Sequence, residues 1–300
     1  MTPTQIPLPS MLRAHQLWLA RAADGLRANL SGMTLNDLDL AGVNLSRAIL
    51  TGATLLDANL AGADLTEAML DGADLQRASL AGADLTAANL SHAVLAGASL
   101  HDANLSEIAA HGASFKRVLL TMARMMDASV REAEFTQASA AGASFHQSRF
   151  YDVDFSGSDL DGAQFYHARL QHTRLTGVSA IGANFSGAKL DHCNFSRANL
   201  TGAKFGRAEV IQCIFGSAVL READFRDAQM RGGDFGRALL NAARFGGAQL
   251  STADFRGANL QGARELTSEH LTQVLTDATT ILPNGNRGPY LRYSGAEKPR

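Results

Sequence analysis

A five-residue period runs through most of this chain and restricts its fold more than any other feature. In LAGADLTEAMLDGADLQRASLAGADLTAANL, residues 60–90, every fifth residue is Leu. Of the 47 residues numbered in multiples of five from Leu30 to Leu260, 40 are Leu or Phe, and 34 of the 47 residues two positions earlier are Ala. Because the frame never shifts between Leu30 and Leu260, we expect no inserted loop there.

This period fits neither an ordinary α-helix nor a simple β-strand. At about 100° per residue, successive centres of the pattern would be rotated by about 140° and would scatter around a helix. In a strand, side chains alternate between faces, so successive centres would point to opposite sides. The pattern therefore predicts a chain that turns a corner every five residues and keeps one large and one small side chain inside.

The residues that carry the period resemble a known family. The stretch ADLTEAMLDGADLQRASLAGADL is similar to the A(D/N)LXX consensus of the pentapeptide-repeat family, and the resemblance covers about residues 26–264. The resemblance implies an all-β solenoid, a right-handed quadrilateral β-helix in which four pentapeptides make one four-sided coil. The repeats would then form about 12 coils and, at a strand spacing of 4.7–4.9 Å, a rod about 56 Å long.

The distribution of Phe supports an even number of sides. All 14 Phe residues are numbered in multiples of five, and 13 of the 15 centres at every tenth residue from 115 to 255 are Phe. Four sides would place them in two opposite inward columns, where the rings can stack in offset geometry. The first predicted column contains Phe145, Phe165, Phe185 and Phe205, and the opposite one contains Phe155, Phe195, Phe215 and Phe235.

Both ends of the repeat need covering, because open sheet edges invite aggregation. We expect an N-terminal capping helix within residues 1–25, with Ser10 as its N-cap and Trp18 over the first coil. A second capping helix is predicted within 265–282, with Thr267 as its N-cap. We expect residues 283–300 to form a flexible tail.

No catalytic motif is recognisable, so the sequence predicts a protein that is not an enzyme and needs no cofactor. Asp152, His172 and His192 are spaced by 20 and would share one corner column, which we interpret as a polar corner rather than a metal site. Cys193 and Cys213 are also 20 apart, and we expect two buried thiols that are not bonded to each other.

Charge is unevenly divided along the chain. The net charge of −2 conceals a net of −8 over residues 24–107, from 11 acidic residues and three Arg, and a net of +3 over 109–265. The first half is either a solubility device or an anionic surface for a basic partner. The candidate acidic partner surface contains Asp57, Asp64, Glu67, Asp71, Asp74 and Asp84.

Apolar residues at outward positions are the second candidate contact surface. Clusters of such residues suggest an interface, whereas single ones need no explanation. This set is either a partner or dimer contact, including a homodimer formed through the C-terminal end, or incidental corner packing. The candidates are Leu119, Met122, Met126, Ile211, Ile214, Val219 and Leu239.

Two functional hypotheses follow. The first is a non-catalytic scaffold that binds protein partners. The second comes from the resemblance, because some pentapeptide-repeat proteins resemble duplex DNA and bind DNA gyrase or topoisomerase IV, which they inhibit or protect from poisons such as quinolones. The net charge predicts no direct binding of nucleic acid. The absence of a long apolar run predicts no membrane span, and the default location is the cytoplasm.

Overall fold

The computed structural model of the 300-residue chain describes residues 7–299, which form a parallel β-solenoid between two short helices. Along the repeats, residues pair in parallel with residues 20 positions further on, from Asn29 with Ile49 to Arg244 with Arg264. Four such ladders interleave, and they begin at Asn29, Thr34, Asp39 and Asn44. The predicted β-solenoid is therefore confirmed.

One ladder widens into continuous strands in the middle of the chain. These strands are β1 (Ala109–His111), β2 (Ser129–Arg131), β3 (Arg149–Tyr151), β4 (Arg169–Gln171), β5 (Lys189–Asp191) and β6 (Glu209–Ile211). They form a six-stranded parallel sheet in sequence order. Elsewhere in the repeats, consecutive coils pair through single-residue bridges, and the remaining residues of each repeat form the turns between them.

Backbone hydrogen bonds join each coil to the next and close each corner. The N–H of Leu65 donates to the carbonyl oxygen of Asp84 at 2.6 Å, and the N–H of Asp84 donates to that of Ala63 at 2.9 Å. Two residues after a centre, the chain takes a left-handed conformation, as in Gly62 with φ of 64° and Asp57 with φ of 55°. Glycine adopts this conformation without steric cost, which explains why glycine often follows a centre by two residues.

The interior follows the five-residue period throughout. All 47 residues at multiples of five from Leu30 to Leu260 are buried, and none is more than 5% exposed. The residues two positions earlier are also buried, from Ala48 to Ala258. Burial of this apolar surface contributes about 25 cal/mol per Å² and is the main source of stability along the solenoid.

The Phe residues stack in two columns, as predicted. In the first column the ring centroids of Phe145, Phe165, Phe185 and Phe205 follow one another at 4.7, 4.8 and 5.0 Å. In the second, Phe195, Phe215 and Phe235 are 5.0 and 4.7 Å apart, while Phe155 is separated from Phe195 by Leu175 and instead stacks on Phe135 at 4.8 Å. Rings of the two columns meet edge to face across the interior.

The N-terminal helix differs from its prediction in two details. Helix α1 spans Leu8–Leu19 with Pro7 as its N-cap, so Ser10 is inside the helix and its assignment as the N-cap was wrong. Pro9 fits in the first turn because the N–H groups there lack partners within the helix. The residue buried against the first coil is His15, whose Nδ1 accepts the N–H of Ala28 at 3.2 Å. Trp18 is half-buried and stacks on His15 at 5.5 Å.

The C-terminal end contains much less helix than predicted. Helix α2 spans only Ser268–Thr272, although Thr267 caps it as expected and accepts the N–H of His270. The chain then returns to the ladders, where Leu275 pairs with Asp254 and Ile281 pairs with Asn259. The helix lies within the predicted range of 265–282, and the rest of that range pairs with the preceding coil instead of extending the helix. Neither helix in residues 7–299 is long and apolar enough to cross a membrane.

The segment after residue 282 contacts the end of the solenoid. The hydroxyl oxygen of Tyr290 lies within hydrogen-bonding distance of Ser268 Oγ, at 2.7 Å, and its backbone N–H donates to Thr276 Oγ1 at 2.9 Å. Asp277 holds the preceding turn by accepting hydrogen bonds from Thr279 and Thr280, and hydrogen bonding to Thr279 is the main cause that lowers the pKa of Asp277 to about 2. The expected flexible tail therefore has specific contacts up to Glu297, which accepts a hydrogen bond from Tyr290.

Truncation of one stacked ring tests the core. Phe185 lies between Phe165 and Phe205, so Phe185→Ala should lower the free energy of unfolding by about 3–5 kcal/mol, as large-to-small changes do in other cores. Urea unfolding followed by circular dichroism measures this loss. Gln171→Ala, an exposed change at the end of β4, should shift stability by less than about 0.5 kcal/mol. Equal effects of the two changes would contradict the column arrangement.

Candidate interaction surfaces

Three of the six predicted acidic residues shape the backbone. Asp64, Asp74 and Asp84 are half-buried, and Oδ1 of each accepts the backbone N–H two residues further on, at 3.0, 3.1 and 2.9 Å. This is the local bond by which Asp and Asn stabilise turns. Among residues 7–299, Oδ2 of Asp64 and Oδ2 of Asp84 accept no hydrogen bond, so both oxygens remain available to a partner.

Two other predicted acidic residues are paired with Arg in a neighbouring coil. Asp57 contacts Arg77 at 2.5 Å, and Glu67 contacts Arg47 at 2.9 Å. The hydrogen bond from the Arg side chain lowers the pKa of Asp57 and that of Glu67. Both pairs are exposed, so each contributes little to stability. These two ion pairs neutralise part of the negative charge that a basic partner could contact.

The acidic residues do not form one face. Asp64 and Asp84 are direct ladder partners, whereas Asp74 belongs to another ladder, between Thr54 and Val94. Asp71 is half-buried at a third outward position, and its carbonyl oxygen accepts the N–H of Gly52. The structure therefore brings together only Asp64 and Asp84 and distributes the remaining charge around the solenoid.

The predicted apolar residues also divide among several places. Leu119 and Met122 are 47% and 56% exposed and flank one corner, while Met126 is half-buried on the next side of the coil. Val219 and Leu239 are half-buried direct ladder partners. The remaining two are Ile211, in β6, and Ile214, which belongs to another ladder and is 41% exposed.

A row of positive side chains, which sequence reasoning missed, stands on the paired strands. Arg149, Arg169 and Lys189 are exposed direct partners in β3, β4 and β5, and we call them the basic ladder. They line one wall of a surface cavity of about 260 Å³. Their regular spacing along the sequence could have revealed them, but the near balance of charge over residues 109–265 concealed them.

The corner column of Asp152, His172 and His192 does not form a metal centre. The rings of His172 and His192 are 5.2 Å apart, and His192 Nδ1 lies 2.7 Å from Asp191 Oδ1. Within residues 7–299, no group of three or more His, Cys, Asp or Glu side chains is arranged to hold a metal ion.

The two cysteines are buried and unbonded, as predicted. The thiols of Cys193 and Cys213 donate to the carbonyl oxygens of Leu170 and Leu190, each at 3.4 Å. Burial raises the pKa of Cys213 well above its usual value. The side chains point inward from consecutive coils and replace the Ala of other repeats.

Comparison with known proteins agrees with this architecture. A family model described as a pentapeptide repeat region matches residues 93–165 and 141–205. A second model, described as pentapeptide repeats in eight copies, matches residues 27–55, 50–80, 198–237 and 234–264. The chain therefore belongs to the pentapeptide-repeat family. No curated protein matched the chain significantly.

Solved structures of the same family are similar at low identity. HetL, a pentapeptide repeat protein involved in heterocyst differentiation regulation in the cyanobacterium Nostoc sp. strain PCC 7120, is 24% identical, with a TM-score of 0.29 and coverage of 94% of this chain and 100% of that one. QnrB1, a plasmid-mediated fluoroquinolone resistance protein, is 19% identical, with a TM-score of 0.34 and coverage of 72% and 92%. A protein from the Arabidopsis thaliana thylakoid lumen is 22% identical, with a TM-score of 0.23 and coverage of 45% and 79%.

Thiol reactivity tests the burial of the cysteines. Because both side chains are fully buried and closed to the reagent, Cys193 and Cys213 should not react with Ellman's reagent in the folded protein. Both should react at once in denaturant. Rapid reaction before denaturation would show that the coils around these residues open.

Substitution of Asp84 tests the structural role of the acidic residues. Asp84→Ala removes the acceptor for the Thr86 N–H and should cost about 1 kcal/mol of unfolding free energy. Asp84→Asn should retain stability, since Asn89 already accepts the equivalent N–H of Ser91 at 3.0 Å. Urea denaturation of the two variants measures the difference, and equal losses would show that this hydrogen bond does not matter.

Proposed function

We propose that this protein is a non-catalytic scaffold that binds other proteins through the outside of its solenoid. The observation that supports this proposal most directly is the packed interior, since every inward centre from Leu30 to Leu260 is buried. Only outward side chains vary freely from coil to coil. A rigid surface of this kind is already ordered before a partner arrives, which lowers the cost of binding.

We also propose the finer architecture that the family resemblance implies. The solenoid is a right-handed, four-sided coil that is repeated about 12 times. The four interleaved ladders that begin at Asn29, Thr34, Asp39 and Asn44 support four sides. At a spacing of 4.7–4.9 Å between coils, the rod is about 56 Å long. That length equals about 16 base pairs of duplex DNA at 3.4 Å each.

A DNA mimic that binds gyrase or topoisomerase IV is the more specific candidate. The observation that favours it is the net charge of −8 over residues 24–107. Asp64 and Asp84 contribute a stacked pair of carboxylates whose Oδ1 atoms are fixed by backbone hydrogen bonds. A basic groove that accepts DNA would be attracted to such a surface. This function requires a cytoplasmic location.

A supercoiling assay tests this candidate. Purified protein should inhibit DNA gyrase, or should relieve its poisoning by a quinolone, and the effect should weaken as salt rises because exposed charges are screened. Replacement of Asp64 and Asp84 together by Asn should reduce the effect while the fold is retained. No change in supercoiling with or without the quinolone would exclude gyrase as the partner.

The chain offers a matched control for that variant. Asp234 and Asp254 are also direct ladder partners, and each accepts a backbone N–H, at 2.8 and 2.9 Å. Asp234→Asn with Asp254→Asn removes the same number of charges from the other half of the rod, together with the ion pair of Asp254 with Arg256 at 2.6 Å, and should leave gyrase binding unchanged. Equal effects of the two double variants would show that only the overall charge matters.

The apolar residues become the better contact surface if the acidic half has no partner. In that case we propose that the adjacent pair Val219 and Leu239, together with Ile211 and Ile214, contributes to a protein or homodimer contact near the C-terminal end. The four residues lie on three different ladders, so the surface that a partner could bury over them is small.

A further inference from the structure

The basic ladder brings three positive side chains to one cavity, where Asp127 is the acidic residue in the lining. Arg149 and Arg169 are direct partners on parallel strands, so their backbones are about 4.8 Å apart. Within residues 7–299, no carboxylate lies within 4.0 Å of the Arg149 or Arg169 guanidinium, and only Lys189 is paired, with Glu209 at 2.7 Å. Like charges at directly opposed positions destabilise a sheet. A bound anion would relieve that repulsion.

The ladder is one side of a larger basic corner. The cavity beside it, about 260 Å³, shares His167 and Gly187 with a second cavity of about 520 Å³. Lys204 and Arg207 line the second cavity, so positive side chains stand on both sides of His167. The acidic groups there are Asp224, which contacts Arg226 at 2.6 Å, and Asp227, which lies 3.9 Å from Arg207. Lys204 has no carboxylate within 4.0 Å among residues 7–299.

Glycine creates the depression between the two cavities. Gly187 has φ of 64°, and a Cβ at this position would lie 2.6 Å from the His167 ring. The ring therefore rests against the next coil, and His167 Nδ1 lies 3.2 Å from the Gly187 carbonyl oxygen. A larger residue at 187 would displace the imidazole, which lines both cavities.

An exposed aromatic ring adjoins the positive charges. Tyr166 is 45% exposed, lines the larger cavity and lies 4.0 Å from the His167 ring, centroid to centroid. Proteins that bind single strands combine a basic groove for the backbone with aromatic rings on which bases stack. Arg is suited to phosphate because its planar guanidinium can donate two parallel hydrogen bonds.

We propose that this basic corner binds single-stranded nucleic acid. Arg149 and Arg169 contact phosphates, and Tyr166 stacks on a base. An acidic peptide would use the charges but would leave Tyr166 without a role, and a duplex keeps its base faces inside. The whole-chain charge of −2 predicted no nucleic-acid partner because the acidic first half outweighs the positive second half. This inference does not depend on the gyrase candidate.

Fluorescence anisotropy with a fluorescein-labelled oligothymidylate tests the proposal on the full chain. Binding should weaken with salt, and Arg149→Ala with Arg169→Ala should lower the slope of log affinity against log salt by about 1.4, for two lost phosphate contacts on a single strand. Tyr166→Ala should weaken binding by about fivefold or more at constant salt. Far-ultraviolet circular dichroism checks that the variants, all at exposed positions, retain the fold.

A double variant on another column supplies the control. Arg197 and Arg237 are exposed in the same half of the chain, so Arg197→Ala with Arg237→Ala removes the same charge away from the basic corner. This control should lose less than twofold in affinity. The proposal is overturned by no binding at low salt, by equal losses in the two double variants, or by competition from polyglutamate as strong as that from unlabelled oligothymidylate. Binding of duplex DNA as tight as that of the single strand, with no effect of Tyr166→Ala, would also overturn it.

Discussion

Every surface of this molecule depends on one constraint, the hydrogen-bonded pairing of each coil with the next at a fixed offset along the chain. Leu65 donates to Asp84, and Asp84 donates back to Ala63, so the offset is fixed twice at each step. Backbone donors and acceptors that are buried must find partners, and a shift by one residue would break both bonds and would turn the large centres outward. The regular ladder and the Leu and Phe interior therefore require each other.

The same constraint forces outward residues on consecutive coils to become neighbours, whatever their charge. The chain handles the resulting contacts in three ways. Opposite charges pair, as in Asp57 with Arg77. Stacked carboxylates such as Asp64 and Asp84 turn one oxygen to the backbone. Arg149 and Arg169 have neither arrangement, and a side-chain repulsion that the fold does not relieve is a reason to look for a ligand there.

The repeated coils could be predicted from the sequence, whereas the two ends of the solenoid could not. Burial of the Leu and Phe centres and the stacking of Phe185 between Phe165 and Phe205 follow from the period alone, because each coil meets the same environment. The ends do not repeat. The burial of His15 and the shortness of α2 depend on single contacts that no period encodes. Pairs such as Glu67 with Arg47 can be recognised when the sequence is written with 20 residues to a row. The basic ladder is not evident from the net charge over residues 109–265, because acidic residues nearly balance the basic ones there.

A solenoid of this kind can present opposite charges to two partners without changing shape. The acidic half and the basic corner are separated along one rigid body, because more than three coils lie between Asp84 and Arg149. Salt screens exposed charges over about 8–10 Å, which is roughly two coils. The two proposed surfaces would therefore bind their partners independently, because occupation of one would hardly alter the electrostatic potential at the other. Any coupling between partners would have to come from contacts between the partners themselves, since the packed Phe columns leave the rod little freedom to transmit a change.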